Sequence, residues 1–171
     1  MPPDPPCKRL LAVLLPAPEW PPALQAALQD SLGPVDYRGP LLPFPEGAYY
    51  ADEMGFPLWR GWISFRGIVV PGFLPEWTRR ARALEEAWSR DGKRAVNLDP
   101  GYMDADKVVL ASRKRGPFKI YLEDGVWADM VLGYSRGAFE PTPWTFPDFR
   151  DGRYDKSLAV IREKLKAEMR S

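Results

Sequence analysis

The run from Asn97 to Met130, NLDPGYMDADKVVLASRKRGPFKIYLEDGVWADM, holds most of the side chains in this chain that could do chemistry. Asn97, Asp99, Asp104 and Asp106 offer one amide oxygen and three carboxylates, a donor set that suits a hard divalent cation such as magnesium. Lys107, Arg113, Lys114 and Lys119 follow as a basic group able to clamp a phosphate or carboxylate, with Tyr102 and Tyr121 beside them. Asp124-Gly125 reads as a two-residue type I′ turn, a register that sets Ile120 opposite Asp129. Asp129 then shares a face with Phe118, Ile120, Leu122, Trp127 and Val131. An unpaired carboxylate buried there costs several kcal/mol, so it must be paired, protonated or at the rim of a cleft. A raised pKa would suit a general base, and a structural ion pair accounts for the same residue. A one-residue slip in register would turn Asp129 to the other face.

Each of these groups has a plainer reading. Asn97-Leu98-Asp99-Pro100-Gly101 resembles an Asx or type I turn after a strand. Asp104 and Asp106 read as the cap and first turn of a short helix over about 104–112, where they would repel a bare phosphate, so that an anion would need a bridging cation. The basic connector can be a solvated patch. Glu53, with Tyr49 and Tyr50 in YYADEMG, lines a pocket or belongs to a loop packed on the core.

Composition removes whole classes of chemistry. With no histidine, Ser-His-Asp and Cys-His catalysis and histidine zinc sites are excluded. Cys7 is the only cysteine, so an internal disulfide and a CxxC motif are excluded, and no zinc, haem or iron–sulfur cofactor is expected. A reducing, cytoplasmic setting follows as the expectation. Net charge is +1, which argues against a nucleic-acid or membrane coat, and the apolar run Leu10 to Leu15 is too short to span a bilayer. The expected partner is a small anionic metabolite, with a nucleotide-like one among the candidates, bound beside residues 97–130. RNA binding through residues 113–119 is a weaker alternative, with only Phe118 and Tyr121 to stack on. A non-enzymatic protein-interaction module using an exposed sheet edge is a further one, and the sequence decides neither enzyme nor oligomeric state.

The elements that must position these groups follow from periodicity. Residues 1–7 are expected to form a disordered, Pro-rich tail, and 8–171 one domain. Lys8 to Ala17 is a buried strand. Trp20, Leu24, Leu28 and Leu32 mark a helix stopped by Gly33-Pro34. Val35 to Phe44 and Leu58 to Val70 are strands. Leu74, Trp77, Ala81, Leu84 and Trp88 make a second helical stripe, and Arg94 to Leu98 a fourth strand. That order predicts an α+β fold with a ferredoxin-like β-α-β-β-α-β antiparallel core. A hairpin over 118–134, a Pro-aromatic loop and a final helix through Tyr154, Leu158, Ile161 and Leu165 extend it.

Laid out this way, the chain resembles a bacterial family catalogued as domain of unknown function 4416. The resemblance rests on YYADEMG (49–55), Ser64-Phe65, VNLDPGY (96–102), KVVLAS (107–112), KIYLEDGVWAD (119–129) and PWTFPDF (143–149). It implies membership and carries over no activity. It leads one to expect a histidine where this chain has Phe118, so such a histidine would be dispensable to any shared chemistry. Some members bear the label GTP-binding protein, for which this sequence offers no support: it has no GxxxxGK[ST] loop to cradle phosphates.

Overall fold

The computed structural model describes residues 4–171. Strand β1 (Cys7–Leu15) is apolar on both faces from Leu10 onward because it lies in the middle of a sheet covered on both sides. Helix α1 (Pro22–Leu32) starts on a proline and stops at Gly33, whose φ of 108° is open to glycine and whose N–H reaches Gln29 O. Strands β2 (Val35–Arg38) and β3 (Leu42–Pro43) follow. A 3-10 turn then leads into the four-residue α2 (Ala51–Met54). Next come β4 (Trp59–Val69), α3 (Leu74–Ala87) and β5 (Asn97–Met103). The remainder is β6 (Lys107–Ser112), β7 (Ile120–Tyr121), β8 (Trp127–Ser135), β9 (Ala138–Pro141), α4 (Pro147–Arg150) and α5 (Asp155–Arg170).

All nine strands among the described residues join one antiparallel sheet in the order β2-β4-β1-β5-β6-β8-β7, with β3 also on β4 and β9 also on β8. The protein is therefore α+β. Alternation along β1 divides the core in two. Leu11 and Val13 meet Leu24 and Leu28 of α1 and Trp77 and Leu84 of α3, with Trp20 and Trp88 at the margin. Leu10 and Ala12 face the other way, toward Leu158, Ile161 and Leu165 of α5. Each of those three side chains contributes roughly 1.5–3 kcal/mol by burial, which holds α5 to its face.

Charge fixes α5 at both ends. Near its C-terminus, the fully buried Lys8 Nζ bonds Glu168 (2.8 Å) and Phe65 O (2.9 Å) and pairs with Asp36 at 2.6 Å. Near its N-terminus, the Tyr154 hydroxyl donates to Asp148 (2.9 Å). Trp62 packs between Phe149 and Tyr154.

Four expectations are corrected. Residues 97–103 are a strand rather than a turn. Pro100 lies opposite Leu11, and Gly101 comes so close to β6 that a Cβ would stand 2.2 Å from Val109 O. Residues 107–112 are a strand rather than a helix: the β-branched Val108 and Val109 pair with β5 on one side and β8 on the other, and that tertiary pairing overrides helix capping. Asp104-Ala105-Asp106 is the connecting hairpin turn. The Asp124-Gly125 turn forms with φ of 51° and 74°, but Val126 opposes both Glu123 and Leu122. That bulge shifts the register by one, so Ile120 faces Ala128 and Asp129 faces only Leu110 on β6. Finally, of the residues expected in the tail, 1–3 lie outside the described residues, whereas Cys7 belongs to β1 and is buried, and its thiol is pushed up to about 12 by desolvation, which leaves it inert. No helix among the described residues is long and apolar enough to cross a membrane.

Candidate functional site

Arg60 on β4 and Asn97 on β5 both lie opposite Leu14 of β1, so their side chains leave the sheet on the α5 face. There they build a chain of charged hydrogen bonds. Arg60 donates to Asp148 (2.7 Å) and to Asp99 (3.2 Å), and Asn97 donates to the same Asp99 oxygen (3.0 Å). Arg94 donates to Asn97 Oδ1 (2.6 Å) and grips the Glu53 carboxylate at 2.5 and 2.7 Å. Burial opposes the Arg60 charge, yet Asp148 and Asp99 raise its pKa above the ordinary arginine value, and Phe44 lies under the guanidinium at 4.6 Å. Burial also raises the Tyr154 phenol, which fixes it as a donor to Asp148 rather than a nucleophile. The charges in this network answer one another inside the protein, and burial raises the pKa of Asp99 within it, with Arg60 pulling the other way.

That network gathers Glu53, Asn97 and Asp99 from the residues singled out in the sequence. It adds Arg60, Arg94, Asp148 and Tyr154, which sequence reasoning missed. A signal for one of them exists: Arg60 in LWRGWISF is a charge within an apolar strand, the same argument that picks out Asp129.

The three carboxylates expected on a cation are not brought together. Asp99 and Asp104 stand about 17 Å apart along the strand at about 3.4 Å per residue. Asp99 faces Arg60, whereas Asp104 caps the hairpin turn, accepting from Asp106 N (2.8 Å), Lys107 N (2.9 Å) and Lys107 Nζ (2.5 Å). Asp106 adds only its backbone groups to the turn. Among the described residues no three carboxylates or thiols converge as a metal site would require.

The basic connector divides as well. Lys119 turns inward, donating to Ser112 Oγ (2.8 Å) with Asp129 Oδ2 at 3.7 Å, an ion pair too long for a hydrogen bond. Asp129 is 6% exposed, and its Oδ1 is buried without a partner. Desolvation raises its pKa, with Lys119 pulling the other way. Lys114 lies over the exposed Tyr49 ring and donates to its hydroxyl (2.9 Å). Tyr121 packs edge-on against Trp127 at the rim of the sheet. Tyr102 helps to line a cavity of about 10 Å³ with Cys7, Arg9 and Trp77, room for no more than one water.

Arg113 leads elsewhere. It lines a groove of about 360 Å³ between α3 and the β7–β8 hairpin, together with Arg79, Arg82, Glu86 and Asp124 over a floor of Ala83 and Val126. Arg79 is held by Glu76 and Asp124, and Arg82 by Glu86. Among the described residues Arg113 has no carboxylate partner, so its five donors are available to a guest.

No curated protein and no solved structure matches the chain. A family model does, over residues 5–165 of the 171, and its description reads domain of unknown function (DUF4416). The matched span takes in both core faces, the buried ionic network and the arginine-lined groove, so the chain belongs to that family.

Proposed function

We propose that this protein binds a small anionic metabolite, a phosphate ester or polycarboxylate, in the groove between α3 and the β7–β8 hairpin. One observation carries the reading: Arg79, Arg82 and Arg113 converge on a cleft of ligand size, and Arg113 has no carboxylate partner among the described residues. Its planar fork matches a phosphate or carboxylate edge, and the intraprotein pairs of Arg79 and Arg82 hold those side chains in place. The groove has no aromatic wall, which favours the charged part of a nucleotide-like ligand over its base. With Asp99, Asp104 and Asp106 apart, the reading needs no divalent cation. Asp129 stands on the other side of the sheet from α3, so the reading assigns it no catalytic step.

The scaffold we read as a ferredoxin-like β-α-β-β-α-β unit of β1, α1, β2, β4, α3 and β5, extended along one edge by β6 to β9. The strand order β2-β4-β1-β5, with α1 and α3 in one core cluster, supports it. A cytoplasmic setting is part of the same proposal and rests on the single buried cysteine.

Calorimetric titration with pyrophosphate, sugar phosphates, nucleotides and citrate tests the site. At least one should bind, and Arg113→Gln should weaken it about ten- to a hundredfold, the value of one charged hydrogen-bond pair. Undiminished binding by that variant would reject the groove. A second reading, a protein-interaction module, draws on a different observation: the outermost strand β7 exposes large apolar side chains on the sheet edge.

A further inference from the structure

The two edges of the sheet are finished differently. On one, β2 carries a register break between Val35 and Tyr37, and its Asp36 and Arg38 are tied to Lys8 and Gln25. Bulges and charges of this kind block strand addition. On the other, β7 ends the path, paired only on its β8 side. Ile120 is 69% exposed, Phe118 58% and Tyr121 55%, and Leu122 is exposed as well. Trp144 stacks on Phe118 at 4.4 Å and widens the patch. Monomers seldom leave such an edge bare.

We propose that β7 pairs antiparallel with the β7 of a second copy across a two-fold axis, joining two sheets into one. The segment is complementary to itself. With Ile120 on the axis it meets the other copy's Ile120, and Phe118, on the turn that Lys119 N closes on Gly116 O, and Leu122 flank that pair on either side. Charge agrees. Arg115 precedes β7 and the exposed Glu123 follows it, so antiparallel pairing brings each copy's Arg115 toward the other's Glu123. Arg115 and Glu123 have no ion-pair partner within the described residues. An anionic membrane or nucleic acid fits less well, because Glu123 and Asp124 at the hairpin tip would repel it. A contact built on so short a strand falls in the small class of interfaces, which implies reversible, micromolar association.

Sedimentation velocity over about 1 µM to about 1 mM reads this directly. The 19.4 kDa chain should move toward twice its mass as concentration rises. Ile120→Lys sets like charges together on the axis and should weaken association by about tenfold or more. Its fold is checked by an unchanged melting temperature, as expected for an exposed position. Glu123→Arg should also weaken the dimer, and Arg115→Glu added to it should restore association. A wild-type chain monomeric throughout, or Ile120→Lys associating like wild type, would overturn the proposal. Failure here is distinct from failure of the anion groove, since Ile120→Lys leaves Arg113 untouched.

Discussion

The two faces of the sheet are built from different materials. Under α1 and α3 the contact is almost wholly apolar; the buried Thr78 spends its hydroxyl on Leu74 O of its own helix. Under α5 lie Lys8, Arg60, Ser64, Asn97, Asp129 and Asp148, all buried. Apolar packing is non-directional, so the first face sets how strongly its helices adhere. Ionic clusters at both ends of α5 set where along the sheet that helix sits. Three segments that carry the family resemblance, those with Glu53, with Asn97 and Asp99, and with Asp148, meet in one of those clusters. Most buried charges of this face are paired inside the protein, and the groove lies apart from them, between α3 and the β7–β8 hairpin.

The largest effects should come from breaking the ionic face on one side only. Asp148→Ala leaves Arg60 buried with its main counter-charge gone, which should cost about 3–5 kcal/mol and lower the melting temperature by roughly 10 °C. Replacing both partners, Arg60→Met with Asp148→Leu, should cost less than the single change, because no charge is stranded. Denaturant titration of the two variants decides it. A single-variant loss under about 1 kcal/mol would mean that the cluster is solvated enough not to matter.

On the apolar face the same measurement should return a cavity cost without any pairing term. Leu28→Ala should lose about 3 kcal/mol, and the loss should not change between pH 5 and pH 8. A pH-dependent loss would show that the two faces are coupled.

Glu85 is the exception that sharpens the contrast. It sits on α3, accepts Leu98 N at 2.6 Å, and desolvation raises its carboxyl from the ordinary 4.5 to about 7. The folded chain therefore binds more protons than the unfolded one between those values. This contribution favours folding at low pH and is lost as pH rises from about 4.5 through 7. Glu85→Gln keeps the backbone acceptor and removes the titration. It should match wild type near pH 4 and exceed it by about 1–2 kcal/mol at pH 8, with Arg94 at 3.8 Å limiting the gain. A variant less stable than wild type at pH 8 would mean that the Arg94 pair outweighs burial.

Legibility in the sequence followed periodicity. The stripes of α1, α3 and α5 and the strand runs of β1 and β4 are long and regular enough to be read directly. The short segments were not. KVVLAS has too few residues to show a period, and its pairing on both sides with β5 and β8 is a tertiary fact. VNLDPGY looks like a turn because proline and glycine usually make one. Here β5–β6 pairing runs only from Gly101 to Met103, which tolerates Pro100 without an N–H. For the site, composition could mark 97–130 as polar, but only the fold shows that it scatters into a hairpin cap, two buried clusters and one groove wall. Arg79 and Arg82 were invisible because a helix's outer arginines look alike until something packs across from them.

Asp129 gives the smallest expected change and the finest test of the contrast between faces. Among the described residues it is the one on the polar face whose carboxylate has a buried, unpartnered oxygen and a single cation 3.7 Å away. Desolvation raises its pKa, so its charged form costs stability, and that cost appears as pH rises through the raised value. Asp129→Asn removes the charge at constant volume. Lys119 keeps its bond to Ser112 and is partly solvated, so it is not stranded as Arg60 would be. Stability should therefore hold, or rise by up to about 1 kcal/mol at pH 8, and should equal wild type near pH 4. A loss above about 1 kcal/mol at pH 8 would show that the Lys119 pair stabilises the fold as Asp148 does, and the α5 face would then be ionic scaffold along its whole length.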